Sequence, residues 1–239
     1  MNGHLLKLGL TDYEEAHAIQ LALHEARVAE TISDVLILTE HYPVYTLGRT
    51  ARAQHLGAGL KQSMIEGIPV CASDRGGSVT YHGPGQLVGY PILRLKDYCV
   101  GPKAYMALLE EVLIRGLAAL GLSSGRCKEM PGVWVQDRKI ASLGVRVARG
   151  VTRHGFALNV INDLTPYSAI MPCGLAGCVV TSVVEETGRP VGVDEAMKAV
   201  VNAFQEVFEL SLAGESFLRL VPLAGHLTAV TEPITHGGI

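Results

Sequence analysis

Between Gly132 and Val160 the chain reads as three strands joined by two tight turns, and that run limits the fold more than any other segment. GVWVQ, KIASLGVRVA and HGFALNV are rich in apolar and β-branched residues, and the breaks fall at Asp137-Arg138 and Arg149-Gly150. Turns this short leave no room for a crossover helix, so neighbouring strands must pair antiparallel. Further strands are read over His4–Leu8, Asp34–Glu40, Val44–Leu47 and Leu87–Leu95, with Pro91 placing the last near an edge or a bulge. Three helices complete the pattern. Thr11 and Glu14 form a capping box before a stripe of Ala16, Ile19, Leu23 and Ala26 that runs to about Glu30. Pro102–Leu120 carries Tyr105, Leu108, Leu109, Val112 and Leu113 on one side and stops at Gly121. Asp194 caps a helix to Leu210 with Met197, Val200, Val201, Phe204, Val207 and Phe208 at helical spacing, a core face. Hairpins outnumber β-α-β units, which points to an α+β fold: a mixed or antiparallel sheet with helices packed on it. One domain over residues 1–230 is expected, followed by a flexible tail from Thr231 to Ile239.

The composition removes several classes of function. A chain of 239 residues, 48% hydrophobic and 18% charged, can bury one large core. Its net charge of −3 with no block of like charge argues against nucleic acid as a partner. No apolar run approaches the ~20 residues of a membrane span, and Met1–Lys7 lacks the pattern of a signal peptide. The five cysteines, at 71, 99, 127, 173 and 178, form no metal-binding spacing, so no metal or other cofactor is expected. Cys71, Cys99 and Cys127 are expected to be buried, reduced thiols of a cytoplasmic protein.

The segment from Asp74 to Gln86, DRGGSVTYHGPGQ, holds four glycines and a proline among an arginine, a histidine and three hydroxyl side chains. Such backbone freedom suits a loop that wraps closely around a ligand. It is neither G-x-G-x-x-G before a helix nor a P-loop, so the common nucleotide sites are excluded by spacing. Elsewhere, Cys173 sits between Pro172 and Gly174, a seat open either to a nucleophile or to a plain tight turn. Lys139 opens an apolar strand and on its own reads as a solvated strand-start lysine. Brought together, the two acquire chemistry. A unit charge ~4 Å from a thiolate at an effective dielectric of ~20 is worth ~4 kcal/mol before desolvation. That would carry a thiol from its usual ~8.5 to near or below neutrality. His82 and His154 compete as bases for a Cys-His pair. Arg75 could hold an anion or pin its own loop through backbone carbonyls.

Taken jointly and in this order, RGGSVTYHGPGQ (Arg75–Gln86), KIASLGV (Lys139–Val145), HGFALNV (His154–Val160) and MPCGL (Met171–Leu175) resemble the lipoyl(octanoyl) transferase family, also called lipoate-protein ligase B. TLGR at Thr46–Arg49 and VTS at Val180–Ser182 agree. The resemblance implies the α+β catalytic domain shared with biotin- and lipoate-protein ligases. It implies a cytoplasmic enzyme that takes an octanoyl (or lipoyl) group from acyl carrier protein; no sequence feature demands an oligomer, so a monomer is expected. The acceptor would be a lysine on the lipoyl domains of 2-oxo acid dehydrogenases or on the glycine cleavage H protein. Cys173 matches the family's acyl-thioester nucleophile and Lys139 its partner. Arg75, Gly76, Gly77, Ser78, Val79, Thr80, Tyr81 and His82 match a first acyl-binding segment, Ser142, Leu143 and Gly144 a second, and Gly155, Phe156 and Ala157 a third. Phe156 and Leu175 stand where leucine and isoleucine are common. Two other readings use the same residues differently: an ATP-dependent lipoate ligase, which needs no cysteine, and a non-catalytic lipoyl-domain or acyl-carrier binding protein.

Overall fold

The computed structural model describes residues 1–56, 63–127, 130–171, 177–213, 218–223 and 226–231. Fourteen strands and four helices follow in chain order: β1 Asn2–Thr11, α1 Tyr13–Val28, β2 Asp34–His41, β3 Val44–Leu47, β4 Met64–Ile65, β5 Ile68–Ala72, β6 Val79–His82 and β7 Gln86–Ile92. Then come α2 Gly101–Ala119, β8 Gly125–Arg126, β9 Val133–Val135, β10 Arg138–Ala148, β11 Val151–Asn159, α3 Val183–Thr187, α4 Val193–Phe208, β12 Ser211–Ala213, β13 Leu218–Leu223 and β14 His226–Thr231. Eight strands form one sheet in the order β12-β1-β2-β7-β11-β10-β9-β8, four form a second in the order β4-β5-β3-β6, and β13 pairs with β14.

The expected α+β architecture is what forms, with a mixed main sheet. β1 runs parallel to β2 and β12, and the remaining pairs are antiparallel. The meander from β9 to β11 matches its sequence pattern. Helices cover both faces. α1 packs Ala16, Ile19 and Leu23 against Val35, Ile37, Val88 and Ala157. α2 and α4 pack Leu109, Val112, Leu113, Val200 and Phe204 against Leu36, Leu38, Leu87, Phe156 and Leu158 on the other. Each such fully buried side chain is worth ~1.5–3 kcal/mol relative to exposure. No described helix is long and apolar enough to cross a membrane.

Four expectations change. Asp12, not Thr11, caps α1, its carboxylate accepting from the backbone N–H of Glu14 and Glu15. Gly192, not Asp194, precedes α4 with no side-chain cap, and Asp194 instead lies in the first turn, where the helix dipole favours it. Pro91 lies in a central strand. Its lack of an N–H is tolerated because the pairing toward β11 lapses after Gly89 and resumes only at Leu93 and Arg94, leaving the β2 side alone paired at Pro91. Cys71, Cys99 and Cys127 are partly exposed rather than buried. Of the expected tail, Thr231 closes β14 and residues 232–239 lie outside the described residues.

Candidate active site

The site begins with small side chains where the β10–β11 register brings them together. Ser142 faces Ala157 and Gly144 faces Gly155 across the two strands, so this part of the sheet is left unfilled on the α1 side. Over it lies the loop Arg75–Ser78 with β6, and Gly76 N–H donates to Val145 O at 3.0 Å. Gly155 is required for close approach: a Cβ there would stand 2.2 Å from Gly89 O. The result is a narrow slot, partly open to solvent and lined chiefly by apolar surface.

The residues expected from sequence distribute around this slot unevenly. Arg75, Gly77, Ser78, Val79, Thr80, His82, Ser142, Leu143, Gly144, Gly155, Phe156 and Ala157 all border it. Gly76 anchors the loop from behind, and Tyr81 turns away to pack with Tyr45 and Tyr167. Leu143 and Phe156 direct their side chains to the core beneath α2 and α4. Tyr13, Val88, Tyr90 and His154 also line the slot. Sequence reading weighed His154 only as a base and passed over the other three. The one signal available for Tyr13 was its place on a polar helical stripe with His17, Gln20 and His24, flanking the apolar stripe of α1.

Arg75 is buried and takes the loop-pinning role. Its guanidinium donates to Thr46 O at 2.6 Å, to Thr46 Oγ1 at 2.9 and 3.1 Å, and to Gly76 O at 3.1 Å. His82 has both ring nitrogens engaged: Nδ1 donates to Gln86 Oε1 at 2.8 Å and Nε2 accepts from Thr46 Oγ1 at 3.3 Å. Gln86 in turn donates to Asn159 Oδ1 and to Tyr167 OH. His154 Nε2 donates to Asp74 Oδ1 at 2.6 Å, a partner 80 residues away. Among the described residues His17, Asp74 and His154 offer three ligand atoms within 4.8 Å of one another. Arg146 and Arg153 both reach the other oxygen of Asp74. Two guanidiniums against one carboxylate make this a poor seat for a divalent cation.

Burial depresses His41, His82 and His154 below the ordinary histidine value, His82 furthest. The hydrogen bond from His154 holds the Asp74 carboxyl well below the usual carboxylate range. The unfolded histidines take up protons near pH 6.5 while the folded ones refuse them. Stability is therefore complete above that pH and falls as the pH drops from there toward the folded values, by at most ~1.4 kcal/mol per pH unit per histidine. Asp74 acts in a lower window, its contribution present above the unfolded value near 3.8 and lost below it. A falling urea midpoint from pH 7 to pH 5 is expected, flattened in His82→Gln. A midpoint constant over that range would contradict it.

Lys139 is not the solvated lysine that its position alone suggested. It is 2% exposed, and its Nζ lies 5.4 Å from the centre of the Trp134 ring. Gly132, at φ +134°, makes room for it: a Cβ there would stand 2.6 Å from Lys139 Cε. The backbone of Lys139 is stitched to the segment beyond Cys173, donating to Val179 O at 2.8 Å and accepting from Thr181 N at 3.0 Å. On the upstream side, Met171 N–H donates to His55 O at 2.8 Å. His55 Nδ1 accepts from the hydroxyl of Ser78, a slot residue. Cys173 itself lies outside the described residues.

The mixed sheet with helices on both faces is shared with solved lipoate and biotin protein ligases. A bi-partite lipoate protein ligase of Thermoplasma acidophilum superposes with a TM-score of 0.69 at 21% identity, covering 90% of this chain and 87% of that one. The biotin protein ligase of Aquifex aeolicus gives 0.53 at 14%, covering 86% and 70%. At these identities the likeness is one of fold. The family follows from sequence. The lipoyl protein ligase A/B catalytic domain matches residues 12–205. The octanoyltransferase of Alkaliphilus metalliredigens is 44% identical over 214 residues, 89% of this chain and 98% of that one. That of Rubrobacter xylanophilus is 47% identical over 201 residues, 83% and 90%. The chain belongs to the lipoyl protein ligase A/B catalytic domain family.

Proposed function

We propose that this chain is an octanoyltransferase of protein lipoylation, acting as a cytoplasmic monomer. It takes the octanoyl group from a thioester on acyl carrier protein and delivers it to a lysine of a lipoyl domain, on a 2-oxo acid dehydrogenase subunit or the glycine cleavage H protein. Kinship to octanoyltransferases over most of both chains supports the reaction class. The observation that carries the mechanism is Lys139: a buried cation on the strand that floors the slot, with its backbone paired to Val179 and Thr181 a few residues past Cys173.

In the first half-reaction the Cys173 thiolate attacks the donor carbonyl, a new C–S bond forms, and the carrier's thiol leaves. Exchange of one thioester for another needs no ATP. In the second, the acceptor amine attacks the Cys173 thioester, the C–N bond forms, the C–S bond breaks, and the thiolate is restored. Lys139 acts in both steps. Its positive charge favours the Cys173 thiolate, it gives its proton to the departing carrier sulfur, and the amine left behind takes the proton lost by the incoming lysine. The slot holds the alkyl chain, with each methylene removed from water gaining ~0.8 kcal/mol.

Mass spectrometry of the protein mixed with octanoyl-acyl carrier protein is expected to show one octanoyl group, mapped to Cys173. An adduct elsewhere, or transfer dependent on ATP and free octanoate, defeats the proposal. The seat of Lys139 gives a second test. Gly132→Ala places a Cβ against Lys139 Cε and Ala141 O at a backbone angle alanine resists. A misplacement of ~1 Å costs up to ~100-fold in rate, and the overpacking ~1–3 kcal/mol of stability. Retention of full activity would show that the lysine's position is not exacting.

A further inference from the structure

The register that leaves the slot open also ends it. Along this face of β10 and β11 the successive cross-strand pairs are Ser142 with Ala157 and Gly144 with Gly155, which line the slot, and then Arg146 with Arg153 just beyond its lining. Two small pairs give way to a large charged one. His154 adds to the obstruction. It holds φ 55° in the middle of β11, a conformation that costs a non-glycine residue energy and marks a constrained position. Its ring lines the slot, standing edge-on to Tyr90 with centroids 6.3 Å apart. Around it the clamp is complete. Asp74 Oδ1 accepts from His154 Nε2, and Asp74 Oδ2 accepts from Arg153 Nη2 at 2.7 Å and lies 3.3 Å from Arg146 Nε. The His17 ring stacks on His154 at 5.4 Å, and the His154 backbone N–H donates to Gln20 Oε1.

We propose that this plug, His154 clamped by Asp74 between two arginines, sets the upper limit on acyl-chain length. The inference rests on the octanoyl-transfer reading above. From Ser142 to Arg146 is four residues, or ~13 Å of strand. An extended eight-carbon chain of ~1.5 Å bonds measures ~9 Å, and a twelve-carbon chain ~14 Å. With its carbonyl end at Ser142, the first would stop short of the arginines and the histidine, and the second would run into them. A flexible apolar wall could yield to the extra carbons. Paired charges cannot, since driving a methyl end among them strips hydrogen bonds that hydrocarbon does not replace.

The test uses the full-length protein with octanoyl-, decanoyl- and dodecanoyl-acyl carrier protein, and separately calorimetric titration with the corresponding free fatty acids. Opening the plug with His154→Ala is expected to raise the dodecanoyl-to-octanoyl ratio by about tenfold or more, in transfer and in binding. His154→Gln, which keeps bulk and a donor, holds the ratio within about twofold of the starting protein, and Asp74→Asn, which loosens the clamp at a partly exposed position, gives a rise of about threefold. Asp74→Asn carries the test if His154→Ala does not fold. An unchanged ratio in both overturns the plug while leaving the transferase reading intact. A moved binding limit in a protein that transfers no octanoyl group would do the reverse.

Discussion

Replacing Cys173 with alanine is expected to abolish the octanoyl adduct and to lower acyl transfer by roughly 10⁴-fold or more, the scale on which loss of a covalent nucleophile is felt. The chemistry leaves little to substitute for it. Burial pushes the Cys71 and Cys99 thiols up, toward the inert protonated form, so neither offers a thiolate at neutral pH. Cys178, five residues on, is the natural control: Cys178→Ala should retain the adduct. Cys173→Ser separates position from reactivity. A serine hydroxyl in the same place is a far weaker nucleophile without a dedicated base, so transfer should fall nearly as far as in the alanine variant while octanoate binding in the slot persists. Intact-mass measurement after mixing with octanoyl donor reads all three. An adduct in Cys173→Ala, or unimpaired turnover without it, would remove covalent catalysis from the mechanism and favour direct attack of the acceptor lysine on the donor.

Much of the molecule was legible before any coordinates, and the exceptions share a cause. β9, β10 and β11 could be read because apolar strand residues and turn chemistry at Asp137-Arg138 and Arg149-Gly150 agree locally. The core faces of α2 and α4 could be read because their period is local too. β4, β5, β6, β8 and β12 to β14 were missed: most are short, and β4, two residues long, exists through its partner's register. The N-cap of α1 was misplaced by one residue because Thr11 and Asp12 are both capping types, and the Thr-x-x-Glu spacing favoured the wrong one. Pro91 was read as near an edge or a bulge because sequence shows a missing donor but not which flank lapses; the strand is central, and it is the β11 pairing that breaks off past Gly89. At the site, the glycines of Asp74–Gln86 announced a close approach, and the family resemblance pointed to the small residues at 142, 144, 155 and 157. What they approach came from elsewhere. Tyr13 arrives on α1, and Asp74 meets His154 across 80 residues. Lys139 was the sharpest ambiguity. Alone it was most simply a solvated strand-start side chain, and only its contacts with Trp134 and the cradle at Gly132 make it a buried one.

That burial makes Lys139→Met the second decisive substitution. Methionine matches the apolar stem, so contacts with Trp134 and the space beside Gly132 are kept while the charge is removed. The loss of the cation–π contact costs at most ~2 kcal/mol, and relief from holding an ion in a dry place offsets it. The fold should therefore survive. The chemistry should not. Losing the proton acceptor costs ~10²–10⁴-fold, and losing the cation removes up to ~4 kcal/mol of support for the thiolate. Two readouts divide these contributions. Alkylation of Cys173 by iodoacetamide, followed against pH, should show its midpoint move upward in Lys139→Met. Deacylation of octanoyl-enzyme preformed at high pH should then report the missing base alone, since the thiolate has already done its work. Lys139→Arg is expected to keep the alkylation midpoint low, because the charge remains, yet to fail in deacylation, because guanidinium does not give up its proton. A Lys139→Met protein with an unmoved midpoint and more than a tenth of the starting deacylation rate would mean that the buried ammonium serves packing and not catalysis.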